Sequence, residues 1–243
     1  TNDNQNANQL ICSNLPTFFV KLDAGLIDNT PTSDYRYVWS KDDSIIPGEN
    51  NYTLDVNEEG IYTVIVSTQK GCDRIRTIKV TSSDIAHLDS VSISDLSQYN
   101  TVTANITGQG NYGYSIDLPN GPFQESNLLE NVSAGIHDLY IYDKNGCGTL
   151  QKTVAVLGIP KFFTPNNDGY NDYWNIKGAN ETFNSGAKIF IYDRYGKVIK
   201  QVLASGNGWD GTYTGNPMPA DDYWYTIKLE DGREAKGHFS LKR

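Results

Sequence analysis

The stretch GIYTVIVSTQKGC, residues 60–72, returns at a constant offset of 75 as GIHDLYIYDKNGC, residues 135–147. In each copy apolar residues alternate with others through Val64 and Val66 or Leu139 and Ile141, the period of two that a half-buried strand imposes. A glycine then closes a turn, and the chain passes into a further strand. An offset of that size is a whole small domain rather than a solenoid unit, so the pattern predicts tandem duplication of a β-domain.

Strand signals recur outward from these two runs at about ten-residue spacing, with no helical periodicity between them. Phe18–Leu22 and Tyr35–Trp39 precede the first run, and a Pro47-Gly48 turn separates them from it. That rhythm predicts sandwiches rather than βαβ units. Residues 1–9 (TNDNQNANQ) are polar and predict a linker. TSSDIA, residues 81–86, predicts a second, short one. A third module begins near Gly158-Ile159-Pro160, where proline stiffens the joint. The fold class is therefore all-β, with three tandem β-sandwich domains at 1–83, 84–158 and 159–243.

The third module reuses the hairpin chemistry of the second. Ile141–Gly146 and Ile191–Gly196 both set Asp at the first turn position and Gly at the fourth, which suits a type I turn carried into a glycine bulge. Its last hairpin runs Tyr223–Leu229, a Glu230-Asp231-Gly232 turn, then Arg233–Leu241. Alternation assigns Tyr223, Tyr225, Ile227 and Leu229 to the core and turns Trp224, Thr226 and Lys228 outward.

Composition narrows the function. The chain has 243 residues with net charge −9, 16 tyrosines and 22 glycines, which suits turn-rich β-structure. Residues 159–243 hold 11 Lys/Arg against 10 Asp/Glu, leaving 9 against 19 for residues 1–158. Such an acidic stalk argues against a nucleic-acid partner, whose phosphates demand a basic face. No apolar run approaches the roughly 20 residues that span a bilayer. No signal peptide is present, which predicts a C-terminal piece of a longer exported protein.

Enzyme signatures are missing: no GxSxG, HExxH, P-loop or dinucleotide fingerprint occurs. The one tempting nucleophile pair, Cys147 with His137, fails on spacing. Hairpin pairing would leave the two roughly 16 Å apart at about 3.3 Å per residue. The turn Asn166–Asp172 is the one metal candidate. Asn166, Asp168 and Gly169 imitate part of a calcium loop, yet Thr164 and Asn175 stand where its first and last carboxylates belong. A looser calcium site on Asn166, Asp168, Asn171 and Asp172 competes with plain capping of consecutive turns, the favoured reading. Tyr112, Tyr114, Tyr213 and Trp224 are read as exposed aromatics that could stack on sugars, with ordinary strand packing again favoured.

Three further segments carry a resemblance: IPKFFTPNNDGYNDYW (159–174), IFIYDRYGKVI (189–199) and GWDGTYTGNPMPADDYWYTIKLEDGREAKGHFSLKR (208–243). Together they resemble the C-terminal sorting domain of Bacteroidetes surface proteins exported by the type IX secretion system. The match is to its type B, gliding-motility-associated form on SprB-like adhesins. Asn167 stands where that family usually has glycine, and asparagine is the side chain that best tolerates a left-handed backbone. The resemblance implies export across the outer membrane to the cell surface, a non-enzymatic role, and two partners: the outer-membrane translocon and a SprF/PorP-like protein. The partner surface is expected on Trp224, Lys228, Lys236, Lys242 and Arg243, with an open strand edge beside it. A carbohydrate-binding accessory region of an exported enzyme is the alternative.

Trp39 between Cys12 and Cys72 is similar to the core of an immunoglobulin-like or PKD-like module. In the oxidising compartment that export implies, a Cys12–Cys72 disulfide is expected, with Cys147 left buried and unreactive.

Overall fold

Every long strand here is explained by one-sided burial, and the three hydrophobic cores follow one another along the chain. The computed structural model describes residues 8–26 and 31–243; most of the polar run 1–9 lies outside them. One turn of 3-10 helix, Thr32–Asp34, is the only helix among the described residues.

The first module contains β1 (Asn8–Cys12), β2 (Val20–Asp23), β3 (Tyr35–Lys41), β4 (Ser44–Ile45), β5 (Thr53–Val56), β6 (Gly60–Thr68) and β7 (Asp73–Ser83). One sheet runs β1-β7-β6-β3-β4, and β2-β5 forms the other. Leu22, Leu54 and Val56 from the small sheet meet Trp39, Val64, Val66 and Ile78 from the large one. Trp39 is fully buried and its Nε1–H donates to Asn51 O at 2.9 Å, so the indole is dry and satisfied.

The second module contains β8 (His87–Ser94), β9 (Asn100–Thr107), β10 (Tyr112–Ile116), β11 (Leu128–Val132), β12 (Gly135–Asp143) and β13 (Gly148–Val156). Its facing sheets are β10-β12-β13 and β11-β9-β8. Val102, Ala104 and Leu129 pack against Leu139, Ile141, Val154 and Val156. The repeated runs GIYTVIV and GIHDLYI become β6 and β12. In both, the isoleucine after the glycine faces outward: Ile61 is 52% exposed and Ile136 40%.

The third module contains β14 (Phe162–Phe163), β15 (Lys188–Tyr192), β16 (Val198–Leu203), β17 (Thr212–Tyr213), β18 (Asn216–Pro217), β19 (Asp221–Lys228) and β20 (Glu234–Leu241). Its five-stranded sheet, β14-β20-β19-β15-β16, repeats the order of the first module's large sheet strand for strand. In both, the incoming strand lies parallel to the last one, β1 on β7 and β14 on β20. The opposing layer is the ribbon β17-β18 together with turn-rich chain from 164 to 187.

That layer closes over an aromatic core. Trp174 and Trp209 are fully buried and pair backbone to backbone at 2.8 and 2.9 Å. Trp174 stacks on Phe239 with ring centroids 3.7 Å apart, and Trp209 meets Tyr223 edge-on at 4.9 Å. Both indole N–H groups are used, on Pro160 O and Thr212 O. Gly208 permits the close pairing. Its φ is 95°, and a Cβ there would lie 2.5 Å from Trp174 O.

Candidate functional site

The face of the third sheet turned away from this core carries the candidate site. On β19 Tyr223, Tyr225 and Ile227 are buried, as is Leu229 just past its end, while Trp224, Thr226 and Lys228 point outward. β15 follows the same rule, with Ile189 and Ile191 inside and Lys188, Phe190 and Tyr192 outside. Register then sets Tyr192 beside Trp224, Phe190 beside Thr226 and Lys188 beside Lys228. On the other flank Trp224 pairs with His238 and Thr226 with Lys236.

The outcome is an aromatic stripe of Phe190, Tyr192 and Trp224 edged by three lysines. Near the hairpin end it dips into a groove of about 660 Å³ lined by Lys188, Phe190, Thr226, Lys228, Glu234 and Lys236. Lys188 and Lys228 stand directly opposite each other, an arrangement that like charges disfavour. Trp224 is 41% exposed and tilts over His238.

Of the five residues expected to meet a partner, Trp224, Lys228 and Lys236 share this face. Lys242 joins it at the far end, where its ammonium sits 4.3 Å from the centre of the exposed Phe162 ring. Arg243 leaves it: its Nε–H donates to Met218 O, beside the opposite layer. Lys188, Phe190, Tyr192 and His238 were not singled out from sequence, although the alternation of KIFIY carried the signal for the first three.

The expectation that the last strand forms the sheet's edge is corrected in part. β20 lies second in the sheet, because β14 adds a parallel strand outside it. That cover spans only Ser240 and Leu241, with Ser240 N–H donating to Lys161 O. By the period of two, the N–H groups of Lys236 and His238 face the same side beyond it.

The Asn166–Asp172 turn is organised by its own side chains. Asp172 Oδ1 accepts from the N–H groups of Asn166 and Asn167, and its Oδ2 accepts from Gly169 N–H. Asp168 Oδ1 accepts from Tyr170 N–H, and Asn166 Nδ2 donates to Asp168 Oδ2. The Tyr170 N–H first, then the Asn166 amide, hold the Asp168 carboxyl below the usual aspartate range. Asn167 takes the left-handed conformation, φ 61°. Among the described residues no three His, Cys, Asp or Glu side chains gather as a metal site would require.

Because Asp172 alone satisfies three backbone donors, Asp172→Ala is expected to destabilise the third module by about 1–2 kcal/mol. Urea unfolding followed through the tryptophans measures it. An unchanged midpoint would mean that water replaces the carboxylate at no loss.

Other candidates fall differently. His137 is buried with Nδ1 2.6 Å from Asp117 Oδ2 and Nε2 2.8 Å from Ser133 O. It pairs across the ladder with Val154, far from the hairpin that carries Cys147. Of the four aromatics read as exposed, Tyr114 is core and the Tyr112 hydroxyl is bound to Asp84. The Tyr213 ring lies under Lys197, and only Trp224 is exposed.

The cysteine pairing is corrected outright. Cys12 is bonded to Cys147, with Cα atoms 5.4 Å apart, and Cys72 is free and exposed. β1 lies parallel to β7 with Cys12 beside Ser83, whereas Cys72 precedes the first residue of that strand. The 11 residues of β7 hold the two cysteines roughly 35 Å apart at about 3.3 Å per residue. They sit at opposite ends of one module, and the bond runs instead between modules.

Residues 157–241 match the model of the CHU_C type IX secretion signal domain. No curated protein matches the sequence. Among solved structures, immunoglobulin domains 1–5 of Sidekick-1 align over 97% of this chain and 57% of theirs, at 10% identity and TM-score 0.42. Titin domains I67–I69 align over 97% and 94%, at 12% identity and TM-score 0.41. The chain thus spans just over half the length of the Sidekick-1 structure. Two β-sandwich modules are followed by a segment, residues 157–241, that matches a type IX secretion signal domain, and a signal of that class directs export across the outer membrane.

Proposed function

We propose that this chain is the stalk and sorting region of a cell-surface adhesin, with gliding motility or attachment as its cellular role. The first two modules space the adhesive part from the membrane, and the third is read by the type IX translocon together with a SprF/PorP-like outer-membrane partner. The observation that carries this reading is the outer face of the third sheet. Four of the five residues expected to meet a partner gather there beside an aromatic stripe, three of them within the segment that matches the secretion signal and Lys242 one residue beyond it. Three lysines edge the exposed aromatic stripe, with Glu234 opposite Lys228 on its other flank, and this net positive rim supports a face kept for an acidic or polar partner surface.

The test fuses residues 157–243, with and without residues 84–156, behind a periplasmic reporter in a bacterium that has the secretion system and its matching partner. Both fusions are expected outside the cell; if both stay in the periplasm, the sorting role is wrong. Within the shorter fusion, the triple change Lys188→Glu, Lys228→Glu and Lys236→Glu is expected to lower export at least tenfold and leave the unfolding midpoint in place. Undiminished export would move the recognition surface elsewhere on the module.

A further inference from the structure

Both junctions in this chain are built to one plan. In each module the hairpin leading into the last strand of the main sheet closes on a left-handed glycine: Gly71, Gly146 or Gly232, with φ of 80°, 96° and 87°. Each glycine N–H donates to the carbonyl three residues back, on Thr68, Asp143 or Leu229. The residue that follows the glycine is Cys72, Cys147 or Arg233.

Two of these three reach back into the preceding module. Cys147 bonds Cys12, and the Arg233 guanidinium pairs with Asp95 at 2.5 Å. The receiving residues are equivalent as well. The residue after Cys12 donates its N–H to Ser83 O at 2.8 Å, and the residue after Asp95 donates to Leu157 O at 3.0 Å. In both cases that carbonyl lies where the preceding module's last strand ends.

Cys72 holds the same position in the first module, with its thiol exposed and unpaired. It also stands at the end where the chain comes in. β1 runs parallel to β7 and enters beside Lys79, so the N-terminal end of β7, next to Cys72, is the end facing whatever precedes it.

We propose that Cys72 is one half of a further inter-module disulfide, whose other half is presented by a preceding sandwich module of the same design at the position Cys12 occupies here. The third module is consistent with this rule: where the hairpin residue is Arg233, the second module presents Asp95 and not a cysteine. Bond formation takes two electrons and two protons from the two thiols. A dithiol–disulfide oxidant accepts them, its own S–S bond opening to two thiols.

The test is a tandem in which an added copy of residues 1–83 precedes the whole 243-residue chain, folded in a glutathione redox buffer and mapped by non-reducing proteolysis. The added copy's Cys12 is expected to be linked to the Cys72 that follows it, alongside the native Cys12–Cys147 bond. The added copy's own Cys72 then remains the one alkylated cysteine. Changing the added Cys12→Ser should return the following Cys72 to the alkylated pool. A second tandem, lengthened by two glycines at the new joint, guards against a strained connection. If both tandems form Cys12–Cys147 yet leave the following Cys72 alkylated, or use it to link two molecules, the proposal fails.

Discussion

Trp174→Ala is expected to unfold the third module and leave a fused reporter in the periplasm. The indole is fully buried, stacks on Phe239 at 3.7 Å and touches Tyr225 at 5.3 Å. Removing it leaves a cavity worth about 3–5 kcal/mol, and it orphans the Pro160 carbonyl that accepted the indole N–H. A module of this size has about 5–15 kcal/mol to lose at most, and small domains sit at the lower end. Trp174→Phe keeps a stacked ring and forfeits chiefly the hydrogen bond, so a decrease of about 1–2 kcal/mol and normal export are expected. Urea unfolding and reporter localisation, measured on the same two variants, separate two ways of reading the signal. Export of the unfolded alanine variant at full strength would show that the machinery reads linear sequence. Loss of export with alanine and retention with phenylalanine would show that it reads the folded face.

Much of that face was legible because its logic is local. Two-residue alternation in DDYWYTIK decides which side each residue takes, and the cross-strand neighbours follow once the Glu230-Asp231-Gly232 turn fixes register. The Asn166–Asp172 turn was legible for the same reason, since Asx side chains cap groups two to six residues away. Tyr114 was misjudged because its exposure depends on a second sheet: β10 packs against β9 and β11, which sequence spacing does not position. Lys242 was placed correctly without its partner, since Phe162 reaches it only through the two-residue parallel pairing of β14 with β20. Arg243 was misplaced because alternation gives no rule beyond the last paired residue, Leu241.

The disulfide was illegible for a different reason, although its signal lay in the repeat. Cys72 and Cys147 are equivalent hairpin residues, so both must face the incoming end of their own modules. Cys12 lies at the outgoing end of the first module, beside Ser83. Only Cys147 can meet it, because the second module's incoming end abuts the first module's outgoing end. That deduction requires the parallel placement of β1 on β7, a contact between residues some 70 positions apart, and nothing in local periodicity announces it.

Cys147→Ser is accordingly expected to uncouple the first two modules. The bond closes a span of 135 residues, for which chain entropy gives roughly 5 kcal/mol. Each module keeps its own core, so the loss should appear as separation of the modules before either unfolds. Around the bond, Ser83 Oγ–H donates to the buried Asp143 carboxylate and Asn145 Nδ2 donates to Ser83 Oγ. Asp143 also accepts from the N–H groups of Asn111, Asn145 and Cys147. This network must hold the joint once the bond is gone, together with Ser82 Oγ–H donating to Gln109 Oε1 and the Asn14 amide paired with the Ile85 backbone, and water competes for all of it directly. Calorimetry of the variant, with Cys72→Ser in both samples to prevent thiol exchange, should show the transition of the first two modules lowered by roughly 10 °C or more and broadened. The transition of the third module should not move, since its joint rests on Arg233 and Asp95. An unchanged first transition would mean that the polar network holds the modules together by itself. A thiol count on the unfolded, unreduced parent returns one free cysteine under either pairing. Peptide mapping must therefore identify that thiol as Cys72; finding it on Cys147 would restore the bond within the first module.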